Sequence, residues 1–183
     1  MLNEKPWKPV LDFWFDPENE SKLFLKDDEF DQEIKDRFYD IWKEGCQGLL
    51  ADWRKTLKGR LAEIIVLDQF SRNLCREKPC AFAQDDMALV LSQEAIKQED
   101  FYDLTQSERQ FLIMPFMHSE SLGIQEQSIV LFEELGLEVS TDFAYKHKAI
   151  IEKFGRYPHR NKALGRKSTE EEMKFLKQPG SSF

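Results

Sequence analysis

Arg156, His159, Arg160, Asn161 and Arg166 crowd into residues 154–166, interleaved with the turn formers Gly155, Pro158 and Gly165. Guanidinium groups present planar forks of N–H donors that match a phosphate or a carboxylate, and an imidazole exchanges a proton near neutral pH. A loop of this composition suits a small anionic ligand, with His159 placed for acid-base work. The same residues serve as struts if each arginine closes a structural ion pair or bonds the last carbonyls of a helix.

Two further polar groups stand out. Asp68, Gln69, Arg72 and Asn73 close a strongly apolar stretch, with Asp68 and Arg72 one helical turn apart. A carboxylate buried there requires a cation or hydrogen-bond donors. His118 and Glu120 follow the apolar stretch 111–117, which Pro115 should kink or end. His147 lies on an apolar helical face, where a histidine is more often a satisfied core residue than a ligand. If Glu120 faces His118, it should raise the imidazole pKa, whereas burial should lower it.

These segments are expected to converge, with Asp68 or Arg72 in contact with residues 156–161. His118, Glu120 and His159 are then the candidate catalytic groups. Asp68, Gln69, Arg72, Asn73, His147, Arg156, Arg160, Asn161 and Arg166 would line the ligand. Imidazole and carboxylate suit zinc or iron, but no HExxH-type spacing accompanies them. There is no phosphate-binding glycine-rich loop, no GxSxG elbow and no Cys-His signature. No metal or cofactor is expected.

The elements that must carry these groups read as helices throughout. Residues 6–15 hold Trp7, Val10, Leu11, Phe13, Trp14 and Phe15 and form a short docked helix. Asp27 or Asp28 caps a helix through Phe30, Ile34, Phe38 and Trp42. Thr56 caps the next, whose Leu57, Leu61, Ile64, Ile65, Val66 and Leu67 surround it with apolar surface and predict a central position. Asp85 opens a helix through Ala88, Leu91 and Ala95, and Thr105 with Glu108 forms a capping box. Helices over 119–135 and 141–154 end at Gly136 and Gly155. Ser168 with Glu171 forms a second capping box. With short connections and no strand pattern, the chain reads as one all-α domain over 1–183, an antiparallel helical bundle or stack of helical hairpins with about seven or eight helices. The tail 178–183 carries no helical signal.

Composition narrows the function classes. Cys46, Cys75 and Cys80 are odd in number and lack paired two-residue spacing, so they read as reduced thiols in a cytoplasmic protein, with Cys75 and Cys80 as packing residues. Residues 1–7 are not a signal peptide, and no apolar run is long enough to span a membrane, so no membrane partner is expected. The net charge of −8 argues against nucleic acid, although two basic islands lie at 54–78 and 146–167. A small anionic ligand, or a protein or peptide, remains as the partner.

The segments VLDFWF at 10–15, GRLAEIIVLDQFSRN at 59–73, HSE at 118–120 and FGRYPHRNKALGRKSTEEE at 154–172 resemble the bacterial domain of unknown function family 924. The resemblance spans nearly the whole chain and implies a tetratricopeptide-like all-α fold, with no activity attached. Tyr157 stands where the family pattern usually has Phe, and Cys75 replaces a commonly aromatic residue.

Overall fold

The computed structural model of the chain describes residues 5–182. Its elements are α-helical, joined by short 3-10 turns, with no strand among the described residues. Helix α1 is Lys8–Trp14, α2 Asp28–Cys46, α3 Leu57–Ile65, α4 Ser71–Leu74 and α5 Asp85–Ala95. They are followed by α6 at Gln106–His118, α7 at Leu122–Leu135, α8 at Glu138–Phe154 and α9 at Glu170–Phe175. Consecutive helices from α5 to α8 pack each on the next, while α3 lies against α1, α5 and α6.

Helices α3 and α4 form one continuous rod, because a π-helical turn over Val66–Phe70 joins them. Every residue from 61 to 71 is buried, as the circumferential apolar pattern predicts. The rod can sit this deep because its polar groups find partners. Arg54 forks Glu63 at 2.6 and 2.7 Å, and the Trp42 indole donates to Ser71 Oγ at 2.9 Å. Gly59 allows the rod to start where it does: a Cβ there would lie 2.0 Å from the Trp53 carbonyl oxygen. Around the rod, Trp14 meets Phe111 edge-on at 5.4 Å and Phe70 at 5.7 Å, so α1 belongs to the core as its composition requires.

Local signals place most helix starts. Asp27 accepts from the Glu29 and Phe30 N–H groups, Thr56 from Gly59, and Thr105 with Glu108 forms the expected capping box. Gly136 and Gly155 end their helices with φ of 74° and 68°, the left-handed conformation that glycine adopts without a Cβ penalty.

Four expectations require correction. The second capping box is Thr169 with Glu172, one residue beyond Ser168 and Glu171. The shift brings Glu172 inward to Arg156 and Asn161. Pro115 does not end α6, which continues to His118. All of residues 111–117 are buried, and Ser92 Oγ donates to the Leu112 carbonyl in the turn that the proline disturbs. Helices α7 and α8 begin at Leu122 and Glu138 rather than at 119 and 141. Finally, Cys75 and Cys80 are joined as a disulfide and only Cys46 is a free thiol. Their four-residue gap closes because the chain turns back after α4.

Among the described residues no helix is long and apolar enough to cross a membrane. Within the tail, Ser181 is buried and donates Oγ–H to the Leu176 carbonyl at 3.2 Å. Phe183 and the residues before Lys5, where the leader was sought, lie outside the described residues.

Candidate functional site

The π-helical turn carries Asp68 and Gln69, and Arg72 follows one turn later on α4. Asp68 is wholly buried. Its Oδ1 lies 2.6 Å from Nδ1 of His118 at the end of α6, and Gln69 Nε2 donates to its Oδ2 at 2.5 Å. Arg72 approaches Oδ1 at 3.3 Å and bonds the Asp68 carbonyl at 2.8 Å. Burial alone would raise the Asp68 carboxyl, but His118 and Arg72 hold it below the ordinary carboxylate value. Burial lowers His118, and Arg72 adds to that, against the opposing pull of Asp68. Asp68 is therefore the ionised member of the pair. His118 is the neutral one, donating from Nδ1 and leaving its Nε2 lone pair as acceptor.

A second carboxylate gathers the distant arginine. Asp85, the first residue of α5, accepts from Arg72 at 2.9 and 3.0 Å and from Arg160 at 3.0 Å. Arg160 also donates to the His118 carbonyl at 2.9 Å, and its guanidinium sits over the rings of Tyr157 and Phe82 at 4.5 and 4.6 Å. The expected meeting of residues 68–72 with the 156–161 loop thus occurs through Asp85 and His118.

The rest of the basic loop is tied to carboxylates. Arg166 forks Glu120 at 2.7 and 2.9 Å, and the Tyr157 N–H donates to the same carboxylate at 2.8 Å. Arg156 forks Glu172 at 2.7 and 2.9 Å. Asn161 is buried, accepting from Arg166 Nε at 2.9 Å and donating to Ser168 and Glu172. Glu120 is accordingly the anchor of Arg166 and Tyr157, and the carboxylate paired with His118 is Asp68. Asn73 turns away to Asp31 on α2 at 2.8 Å, a carboxylate that also takes Arg76.

The remaining histidines surround Tyr157, which is fully buried and donates its hydroxyl to the Met117 carbonyl at 2.6 Å. His147 and His159 lie 5.6 and 5.5 Å from its ring. His147 Nδ1 is 2.7 Å from the Phe143 carbonyl oxygen and the ring is 6.4 Å from that of His118. Burial first, then neighbouring positive charge, pushes His147 down to about 3 and His159 down to about 4. Among the described residues no three His, Cys, Asp or Glu side chains converge as metal ligands.

Sequence reading missed Asp85, Gln125, Tyr157 and Glu172. Asp85 carried only a helix-start signal. Gln125, which donates to the Met117 and Ser119 carbonyls at 2.8 and 2.7 Å, gave none. Tyr157 had one, as a polar residue at a position where the resembled family has Phe.

A family described as a bacterial protein of unknown function (DUF924) matches residues 10–180. The chain belongs to this family. The DUF924 match runs through all three polar segments, so Asp68, His118 and Arg160 lie within it. A solved structure, that of a protein of unknown function from Agrobacterium tumefaciens, is 33% identical and superposes with a TM-score of 0.88, covering 94% of this chain and 97% of that one. No curated protein matches the chain.

The low imidazole values give a pH expectation. A histidine whose pKa is lower in the folded chain than in the unfolded one stabilises the fold fully above about 6.5, and that contribution is lost as pH falls toward the folded value. For His147, with a folded value of about 3, the loss approaches about 1.4 kcal/mol per pH unit below 6.5. Urea unfolding at pH 7 and pH 5 should show stability lower by about 2 kcal/mol at pH 5 from this residue. His147→Gln should flatten the dependence by that amount, and an equally steep profile in the variant would refute the assignment.

Proposed function

We propose that the chain binds a small phosphate- or carboxylate-bearing ligand beside the Asp68–His118 pair and exchanges a proton with it. The observation that carries this reading is the 2.6 Å contact between a buried carboxylate, its side chain 1% exposed, and an imidazole that keeps 14% exposure. Such a carboxylate fixes the ring orientation and tautomer, and the neutral imidazole is a base ready to accept a proton. Arg72, 21% exposed against 7% for Arg160, is the more accessible of the two cations on Asp85 and is the group that would meet the anion. Arg156 and Arg166 act as struts and leave the set of ligand contacts.

A second reading makes the chain a tetratricopeptide-like scaffold for a protein or peptide, with Arg160 a strut as well. It is supported by the carboxylate that meets every one of the loop's arginines. One experiment separates the two. The His118 ring is followed by NMR while inorganic phosphate and small carboxylates are titrated into the wild type, His118→Gln and Arg160→Ala, with melting temperatures measured alongside. Anion binding should shift the His118 ring resonances and raise the melting temperature of the wild type, and Arg72→Lys should weaken both responses about tenfold, the loss of roughly one charge-assisted bond. Neither response from any anion, with Arg160→Ala merely less stable, would remove the ligand site and leave the scaffold.

A further inference from the structure

The Cys75–Cys80 bond lies in the shortest route between the two halves of the polar cluster. Cys75 directly follows α4, three residues after Arg72, and Cys80 lies in the 3-10 turn Pro79–Ala81, five residues before Asp85. Arg72 and Asp85 bond each other. The chain from 72 to 85 is therefore closed twice, by an ion pair at its outer ends and by the disulfide within. Between the cysteines, Glu77 has φ of 60°, the one non-glycine residue in the left-handed region among the described residues. A side chain holds that conformation under constraint. After Cys80 a run of turns continues to the cluster: the Phe82 N–H donates to Pro79 and the Asp85 N–H to Phe82, at 3.1 and 3.2 Å. Phe82 lies under Arg160, and Asp85 holds both arginines.

We propose that Cys75–Cys80 is a reversible disulfide that sets the order of the Arg72–Asp85–Arg160 cluster. Opening the inner ring lengthens the loop that the Arg72–Asp85 pair must close, which raises the entropy that pairing has to overcome. Arg76 remains moored to Asp31 on α2, so the freedom gained falls on residues 77–85. Cys75 is 6% exposed and Cys80 is partly exposed, which makes the Cys80 sulfur the one a reductant reaches. In the balanced step, a thiolate of a small dithiol attacks the Cys80 sulfur, the S–S bond breaks, and Cys75 leaves as a thiolate. The second thiol of the reductant then closes its own disulfide and releases Cys80. Two electrons and two protons pass from dithiol to protein. The inference is independent of what the cluster binds.

The test uses the full chain treated with oxidised glutathione or with dithiothreitol. One free thiol, Cys46, is expected in the oxidised protein and three in the reduced one. Reduction should lower the melting temperature by about 5 °C, the effect of losing a six-residue ring in a chain of this size. It should also shift and broaden the guanidinium Nε–H signals of Arg72 and Arg160. Cys80→Ser should match the reduced wild type and ignore dithiothreitol, and the double variant Cys75→Ser/Cys80→Ser should do the same. Three free thiols after the oxidant would overturn the proposal. So would a disulfide whose reduction leaves both arginine signals in place.

Discussion

Asp68→Ala is expected to destabilise the protein by about 3–5 kcal/mol, the range found when one member of a buried charged group is removed. For a chain of this size that lowers the melting temperature by about 10 °C or more. The carboxylate is fully buried, and its loss strands three donors: His118 Nδ1, Gln69 Nε2 and one edge of Arg72. None of these can be rehydrated without opening the rod that carries them. Asp68→Asn should cost less, because the amide keeps the shape and accepts one hydrogen bond. In either variant the counter-charge is gone, so the His118 pKa should fall further. Urea unfolding and NMR titration of His118 check both parts. An Asp68→Ala protein within about 1 kcal/mol of the wild type would show that water already satisfies these donors.

The second large effect belongs to Asp85. Two guanidinium groups share this carboxylate, and Arg160, its side chain 7% exposed, has little access to water as a substitute. Asp85→Ala should therefore cost about 3–5 kcal/mol, mostly the penalty of leaving Arg160 charged and buried. The prediction is sharpened by a double-mutant cycle with Arg160→Met, which keeps much of the side chain's volume over Phe82 and Tyr157 without its charge. In the Arg160→Met background, Asp85→Ala should cost less by about 1–3 kcal/mol, the coupling expected of contacting charges. A coupling near zero would place the stabilising partner of Arg160 elsewhere, with the His118 carbonyl as the alternative.

Most of the helices were legible because their signals are local. A cap at Asp27, Thr56 or Thr105 and a glycine at 136 or 155 act within one turn of their own position, and the aromatic content of α1 required burial. Failures arose where a distant partner overrode a local preference. Ser168 and Glu171 satisfy a capping pattern as well as Thr169 and Glu172 do, and the tie is broken by Arg156 and Asn161, which draw Glu172 inward. Burial of Asp68 implied a cation or donor, and Arg72 was the partner within reach of sequence spacing. Asp85, thirteen residues from Arg72 and seventy-five from Arg160, had no local feature beyond opening a helix. His118 and Glu120 are close in sequence but diverge because α6 ends between them, sending one carboxylate to Arg166 and leaving the imidazole to Asp68. The cysteine pairing was missed for a related reason: spacing alone says nothing about a turn that reverses the chain.

The π-helical turn at Val66–Phe70 amounts to one residue beyond the regular α repeat, and each α-helical residue advances the helix by about 100°. A chain one residue shorter there would keep the same rod, axis and apolar faces, but everything after it would be out of phase by that angle. Arg72 would then point to a different neighbour than Asp85. The rotational phase of the polar face is thus set separately from the packing of the rod. Two chains sharing this fold and every core residue can differ in whether the arginine faces the carboxylate, so a gap of one position within 66–70 in an alignment is informative about the site even when all the named residues are retained.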